Sequence, residues 1–262
     1  VAALRGVTLA IEPATMTAVL GPNGGGKTTL FLHLNGTLRP TRGAVRLAGE
    51  PVAYDRRALK RWRGQVGLVL QDPDDQLFAP TIRQDIAFGP YNLGLKPAEI
   101  AERVMEALTA LDLDSLADRP THHLSFGQKR RVAIAGVVAM RPRVLLLDEP
   151  MAGLDAEGVD QLLDILDGLR RAGTTVVFST HDIELAWRWA DRVAVLAAGR
   201  LIASGSTADV LGDGEVLTAA KLKAPLVLDL ARALRDAGHP WPADRPPRSR
   251  EALLNMIRKG KT

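Results

Sequence analysis

Apolar residues along the chain fall into two alternating patterns, short unbroken runs and longer stretches spaced at three and four. The runs are Met16–Leu20, Val66–Leu70, Val144–Leu147, Thr174–Phe178 and Val193–Leu196, β-branched or aliphatic and of strand length. Between them, Ile100, Val104, Leu108 and Leu111 recur at helical spacing, as do Val159, Leu162, Leu163, Leu166 and Leu169, so each set turns one face to a core. Strands alternating with helices predict an α/β fold with a parallel, helix-covered sheet. Residues 78–140 carry no strand pattern and read as several helices, broken near Gly89-Pro90, Gly94 and Pro120, which predicts a helical insertion. After Gly212-Asp213-Gly214 the alternation stops. Leu226–Ala237 and Arg250–Ile257 then read as helices around a turn containing Pro240, Pro242, Pro246 and Pro247, a small C-terminal appendage.

Composition narrows the class. The 262 residues are 46% hydrophobic and 24% charged, the profile of globular domains rather than of a disordered chain. The absence of cysteine excludes a disulfide framework, a thiolate metal site and a cysteine nucleophile, and points to a reducing, cytosolic setting. The longest apolar run, Val132–Met140, falls far short of the ~20 residues that a membrane-spanning helix needs. A net charge of +4 raises nucleic acid or an acidic membrane as partners. Arg245, Arg248, Arg250, Arg258, Lys259 and Lys261 against Asp244 and Glu251 carry that whole excess, so the rest of the chain is neutral and nucleic acid is not expected. The chain begins at Val1 with no signal-peptide pattern, and the natural start is expected upstream.

Gly21-Pro22-Asn23-Gly24-Gly25-Gly26-Lys27-Thr28 fits G-x-x-x-x-G-K-[ST], after a strand and before the helix-like stretch that opens at Thr29. Glycines let the backbone wrap a polyphosphate with successive N–H groups inward, and the following helix adds partial positive charge at its start. Lys27 then reaches the β- and γ-phosphates of ATP and Thr28 ligates Mg2+. The plain alternative is a glycine-rich turn without a ligand.

Val144-Leu145-Leu146-Leu147-Asp148-Glu149-Pro150 is a strand run that ends in two carboxylates. Alone it is an ordinary strand end. Beside a phosphate loop, Asp148 can hold the Mg2+ water shell and Glu149 can polarise the attacking water, a general base contributing typically ~10²–10⁴ in rate. Leu124-Ser125-Phe126-Gly127-Gln128 precedes a long apolar helix, and Ser125 with Gln128 reads as a capping box. The same helix start is also a second anion site.

The phosphate loop, the L-S-x-G-Q signature and the L-L-L-D-E-P strand, in that order, resemble an ATP-binding-cassette ATPase over roughly residues 3 to 210. The resemblance implies a P-loop NTPase (RecA-like) α/β core over residues 1–212, a helical subdomain at about 78–140, and a helical extension over 213–262 that serves as a second dimer contact. It further implies two cassettes sandwiching two ATP molecules, with Ser125, Phe126, Gly127 and Gln128 of one chain facing the nucleotide of the other. Gln71 matches the glutamine that senses magnesium and the membrane partner, or is a polar strand end. Asp155 matches the loop that crosses between subunits, or is a helix N-cap. His181 matches the histidine that holds the γ-phosphate and water, or is a cap or surface residue. His33, His122, His123 and His239 form no metal-ligand pattern. Phe126 stands where the family most often has glycine, and activity is expected to survive because Ser125 and Gly127 remain. The aromatic on which the family stacks adenine is expected in the segment upstream of Val1, or else adenine recognition is weak.

Gln71-Asp72-Pro73-Asp74-Asp75-Gln76-Leu77-Phe78-Ala79-Pro80-Thr81, Asp85–Pro90 and Asn92–Leu95 resemble the energy-coupling-factor branch, and most of all its cobalt-transport ATPases. That implies a second cassette subunit, in a homodimer or in a heterodimer with a sister ATPase, on the cytoplasmic side of the membrane, a transmembrane coupling subunit docking near Gln71, Asp72, Asp74 and Asp75, and a substrate-binding membrane subunit in the same complex. For a single aspartate of that stretch, an acidic turn capping a helix is the competing reading. A cassette of a nickel, biotin or other vitamin importer, or a soluble nucleic-acid-associated cassette, is the alternative function. A P-loop kinase or GTPase would have no use for the signature helix, and no Asn-Lys-x-Asp motif occurs.

Overall fold

The computed structural model describes residues 2–238 and 246–259. Val1, His239, Pro240, Pro242, Asp244, Arg245 and Lys261 lie outside them, as does the side chain of Lys259. The first elements are β1 (Met16–Leu20), α1 (Lys27–Leu34), β2 (Arg46–Leu47), β3 (Glu50–Pro51), α2 (Arg56–Gln65) and β4 (Val66–Val69). The helices α3 (Ile82–Leu93), α4 (Pro97–Ala110) and α5 (Phe126–Val138) follow, then β5 (Val144–Leu147), α6 (Ala156–Arg171) and β6 (Thr175–Thr180). The chain continues through α7 (Ile183–Trp189), β7 (Arg192–Ala197), β8 (Arg200–Ser206) and α8 (Thr207–Gly212). It closes with α9 (Gly214–Ala220), α10 (Leu226–Asp236) and α11 (Arg250–Lys259). The fold is α/β, and the two compact units are residues 12–15 with 27–179, and residues 1–11 and 16–26 with 180–262.

In the first of these units β4, β5 and β6 pair in parallel, Val66–Val69 against Val144–Leu147 and those against Thr175–Phe178. Leu145, Leu146, Leu147, Val176, Val177 and Phe178 have no exposure, as expected of strands covered on both faces. Helix α5 packs on β4 so closely that Gly67 has no room for a side chain; a β-carbon would meet Val137 Cγ1 at 2.2 Å. The break expected at Gly89-Pro90 does not occur, because α3 runs through both residues to Gly94, which caps it with φ 84°. Gly89 instead marks close packing, its missing β-carbon lying 2.8 Å from Met140 and 3.1 Å from the Gly136 carbonyl. Buried Asp85 on α3 accepts the N–H groups of Phe78 and Ala79 and so fixes the loop that follows Gln71.

In the other unit β1 pairs in parallel with β7, and β8 returns antiparallel from β7 through Ala198-Gly199. The sheet is therefore mixed, where the sequence pattern predicts parallel strands alone. β8 escaped that pattern because only Leu201 and Ile202 are large and apolar in it. Helices α9, α10 and α11 belong to this unit; Leu226 N–H donates to Glu184 on α7, and the buried Trp187 indole donates to the Pro247 carbonyl.

Candidate active site

Strand β1 leads into the phosphate loop from a run with no exposed residue. A β-carbon at Gly21 would lie 2.0 Å from the Leu196 carbonyl oxygen, so only glycine lets the chain pass the end of β7. Gly26 has φ 104°, a conformation that side-chain-bearing residues rarely adopt. Gly25 N–H donates to the Pro22 carbonyl at 3.0 Å, and its own carbonyl accepts from Gly199 N–H at 3.0 Å. Such a curl can hold phosphate oxygens on backbone N–H groups. Pro22, Asn23 and Gly24 form its exposed rim.

The chemistry-bearing residues meet one element later. Asp148, 3% exposed at the end of β5, accepts the Thr28 hydroxyl at 2.5 Å on one oxygen and the Ser179 hydroxyl at 2.5 Å on the other. Ser179 in turn accepts the Glu149 N–H at 2.8 Å. Glu149 has φ 45°, left-handed backbone that costs a side-chain-bearing residue of order 1–3 kcal/mol, and such strain tends to collect at functional sites. Its carboxylate lies 3.1 Å from the ammonium of Lys27, the first residue of α1, which is 6% exposed. A buried ammonium, a candidate base and a hydroxyl–carboxylate pair thus lie together. Thr28 and Asp148 are hard oxygen donors, the kind magnesium takes alongside phosphate oxygens and water. Among the described residues no group of three or more His, Cys, Asp or Glu could hold a metal ion. Thr29 continues α1 half-buried.

The remaining predicted residues stand elsewhere. Gln71 is exposed just after β4, and the strand end is held by Gln76, which accepts from Leu70 N–H at 2.7 Å and donates to the Leu68 carbonyl at 3.1 Å. Asp72 caps the 3₁₀ turn Pro73–Asp75, and Asp74 pairs with Lys129 of α5 at 2.6 Å. Asp72 and Asp74 thus also make contacts within the chain, and all three aspartates expected to face a membrane partner are exposed. Ser125 and Gln128 form the reciprocal capping box of α5, Phe126 is exposed and Gly127 half-buried. Asp155 caps α6 through Gly158 N–H. His181 follows β6 and is exposed. Sequence reasoning missed Ser179 and Gln76. The signal for Ser179 was a hydroxyl one residue from the end of a fully buried strand, next to the strand that leads into Asp148.

The sequence profile of the family described as ABC transporter matches residues 4–152. The cobalt import ATP-binding protein CbiO of Rhodobacter capsulatus is 58% identical over 98% of this chain and 92% of its own length. The energy-coupling factor transporter ATP-binding protein EcfA of Methanocaldococcus jannaschii is 47% identical over 89% of this chain and 84% of its own. Among solved structures, cbiO1 of Clostridium perfringens, part of the ABC transporter complex cbiONQ, superposes with a TM-score of 0.76 at 41% identity, covering 89% of this chain and 92% of that one. With the phosphate loop, the Asp148–Glu149 strand end and the capped signature helix all in place, the chain belongs to the ABC transporter family, as an ATP-hydrolysing cassette similar to those of energy-coupling-factor importers.

Proposed function

We propose that this cassette energises an energy-coupling-factor importer of cobalt ion, working as a homodimer on the cytoplasmic face of the membrane. The observation that carries the reading is the closed set Lys27, Thr28, Asp148, Glu149 and Ser179, in which the base, the phosphate cation and the oxygen donors are bonded together. The likeness to a cobalt import protein along almost the whole chain supports the cargo.

In this reading Lys27 and the loop N–H groups hold the β- and γ-phosphates, and Thr28, Asp148 and Gln71 hold Mg2+, which supplies charge neutralisation at the phosphates. Glu149 takes a proton from the attacking water; the new oxygen–phosphorus bond forms as the bond to the β–γ bridging oxygen breaks, leaving ADP and phosphate. His181 positions that water. Ser125, Phe126, Gly127 and Gln128 close on the nucleotide of the second cassette, with Asp155 at the crossing loop. The membrane partner reads the Gln71 loop, where Asp75 is exposed and Phe78, Phe88 and Leu93 line an adjoining groove of about 900 Å³. Residues 213–262 supply a second dimer contact, and the substrate-binding membrane subunit joins the same complex.

The test is uptake of radioactive cobalt by cells carrying the whole complex. Glu149→Gln is expected to retain ATP binding while hydrolysis and uptake fall together by ~10²–10⁴. A wild-type complex that hydrolyses ATP yet accumulates nickel or a vitamin in place of cobalt would falsify the cargo, and normal turnover in Glu149→Gln would remove Glu149 as base.

A further inference from the structure

Arg130 of α5 is wholly buried, and among the described residues no carboxylate pairs with it. Its Nη2 donates to the Ala152 carbonyl at 3.2 Å, and its Nη1 reaches the Leu70 carbonyl at 3.5 Å, the outer limit of such a bond. Its Nε has no partner. The Phe126 ring lies 5.1 Å from the guanidinium carbon, in cation–π range. That ring also rests on Gly153, where a β-carbon would meet it at 2.9 Å. One guanidinium therefore touches the residue before Gln71, the Ala152-Gly153-Leu154-Asp155 loop and the middle residue of the Ser125-Phe126-Gly127 turn.

Burying a charge without a direct ion pair works against stability, and an apolar side chain of similar volume would serve the core at least as well. Desolvation pushes the guanidinium's pKa down from its ordinary value, opposed by the charge of Asp72. What this residue supplies instead is geometry, since a planar fork can hold two carbonyls and an aromatic face at once. The neighbouring Lys129 grips Asp74 in the same loop, so two consecutive residues of α5 hold the segment around Gln71.

We propose that Arg130 is a positioning residue: it locks the signature turn and the Ala152–Asp155 loop into one edge, keyed to the Gln71 loop, that meets the second cassette's nucleotide in a single geometry. Phe126 is the part of the lock that reaches the surface, being 41% exposed. The inference rests on the dimer reading above.

Steady-state ATP hydrolysis by wild type, Arg130→Met, Arg130→Lys, Phe126→Ala and the double variant Phe126→Ala/Arg130→Met tests it. Arg130→Met is expected to lower kcat by about 10- to 100-fold, the scale of an ångström's misplacement. KM for ATP should stay within about twofold, because ATP is held by the Lys27 loop of the same chain. Arg130→Lys keeps the charge without the fork and should recover only part of the rate. Phe126→Ala and Arg130→Met should be non-additive in kcat. Mixing Arg130→Met with a Lys27→Ala chain should restore turnover at the site that joins intact Lys27 to an intact signature. A raised KM with unchanged kcat, additive losses, or no recovery on mixing where a Ser125→Arg chain does recover, each overturns the proposal. Should Arg130→Met fail to fold, a wild-type kcat in Phe126→Ala overturns it as well. Absence of hydrolysis by the wild type would instead strike at the ATPase reading, so the two failures are distinguishable.

Discussion

Ser179 does for Glu149 what no neighbour in sequence could do. Its hydroxyl donates to Asp148 and accepts the Glu149 N–H, which ties a strained, left-handed residue to the carboxylate beside it. Removing it in Ser179→Ala leaves a part-buried N–H without that acceptor, at a stability cost of about 1–3 kcal/mol. It also frees Glu149 to move, so kcat is expected to fall roughly tenfold with ATP affinity preserved. Thermal unfolding alongside steady-state kinetics separates the effects, and a lowered melting temperature with unchanged kcat would make Ser179 a purely structural residue. Lys27, Thr28, Asp148 and Glu149 were legible in the sequence because each lies within a contiguous motif. Ser179 and Arg130 were not, because their partners lie 31 and 22 residues away and are brought close only by strand pairing and helix packing. The ion pair of Asp74 was hidden for the same reason, its partner Lys129 being 55 residues distant.

Among the elements, Met16–Leu20 and Val144–Leu147 have the bounds that their apolar runs predict, and Val66–Leu70 ends one residue early. Polar content hid β8, and proline misled at α3. Pro90 lacks an N–H, which usually interrupts a helix, yet its position is buried against the core and its carbonyl accepts from Gly94. Packing there outweighs the local preference. The contact of β4 with α5 offers a sharper test of element packing. Gly67→Ala drives a methyl into Val137 and is expected to cost about 1–3 kcal/mol, the range of overpacked cores. The double variant Gly67→Ala/Val137→Ala should regain most of the lost denaturant midpoint, and no regain would place the strain in the strand rather than at the helix.

For the whole molecule, charge turned out to say little about partners, since the basic excess sits in the last nineteen residues, several of them outside the described structure. The helices of the extension were legible from periodicity, but not what they pack on. Trp187 is covered by the chain near Pro247, so deleting the extension would strip α7 and confuse a self-association test with loss of stability. Point changes are cleaner. Leu226 and Leu230 lie one turn apart on α10 and are 61% and 46% exposed. Replacing both by Asp should leave the thermal melt in place while weakening self-association in sedimentation velocity; an unweakened dimer would assign the contact elsewhere.

One compact unit draws on both ends of the chain. Thr17 pairs with Arg192, and Met16 N–H is bonded to Asp191 across 175 residues. At about 5–20 residues per second on the ribosome, β1 waits roughly 10 to 35 s for the strand that will hold it. The phosphate loop is thus synthesised well before the strand that sets it in place. A cassette emerging from the ribosome stays idle toward ATP until β7 has followed.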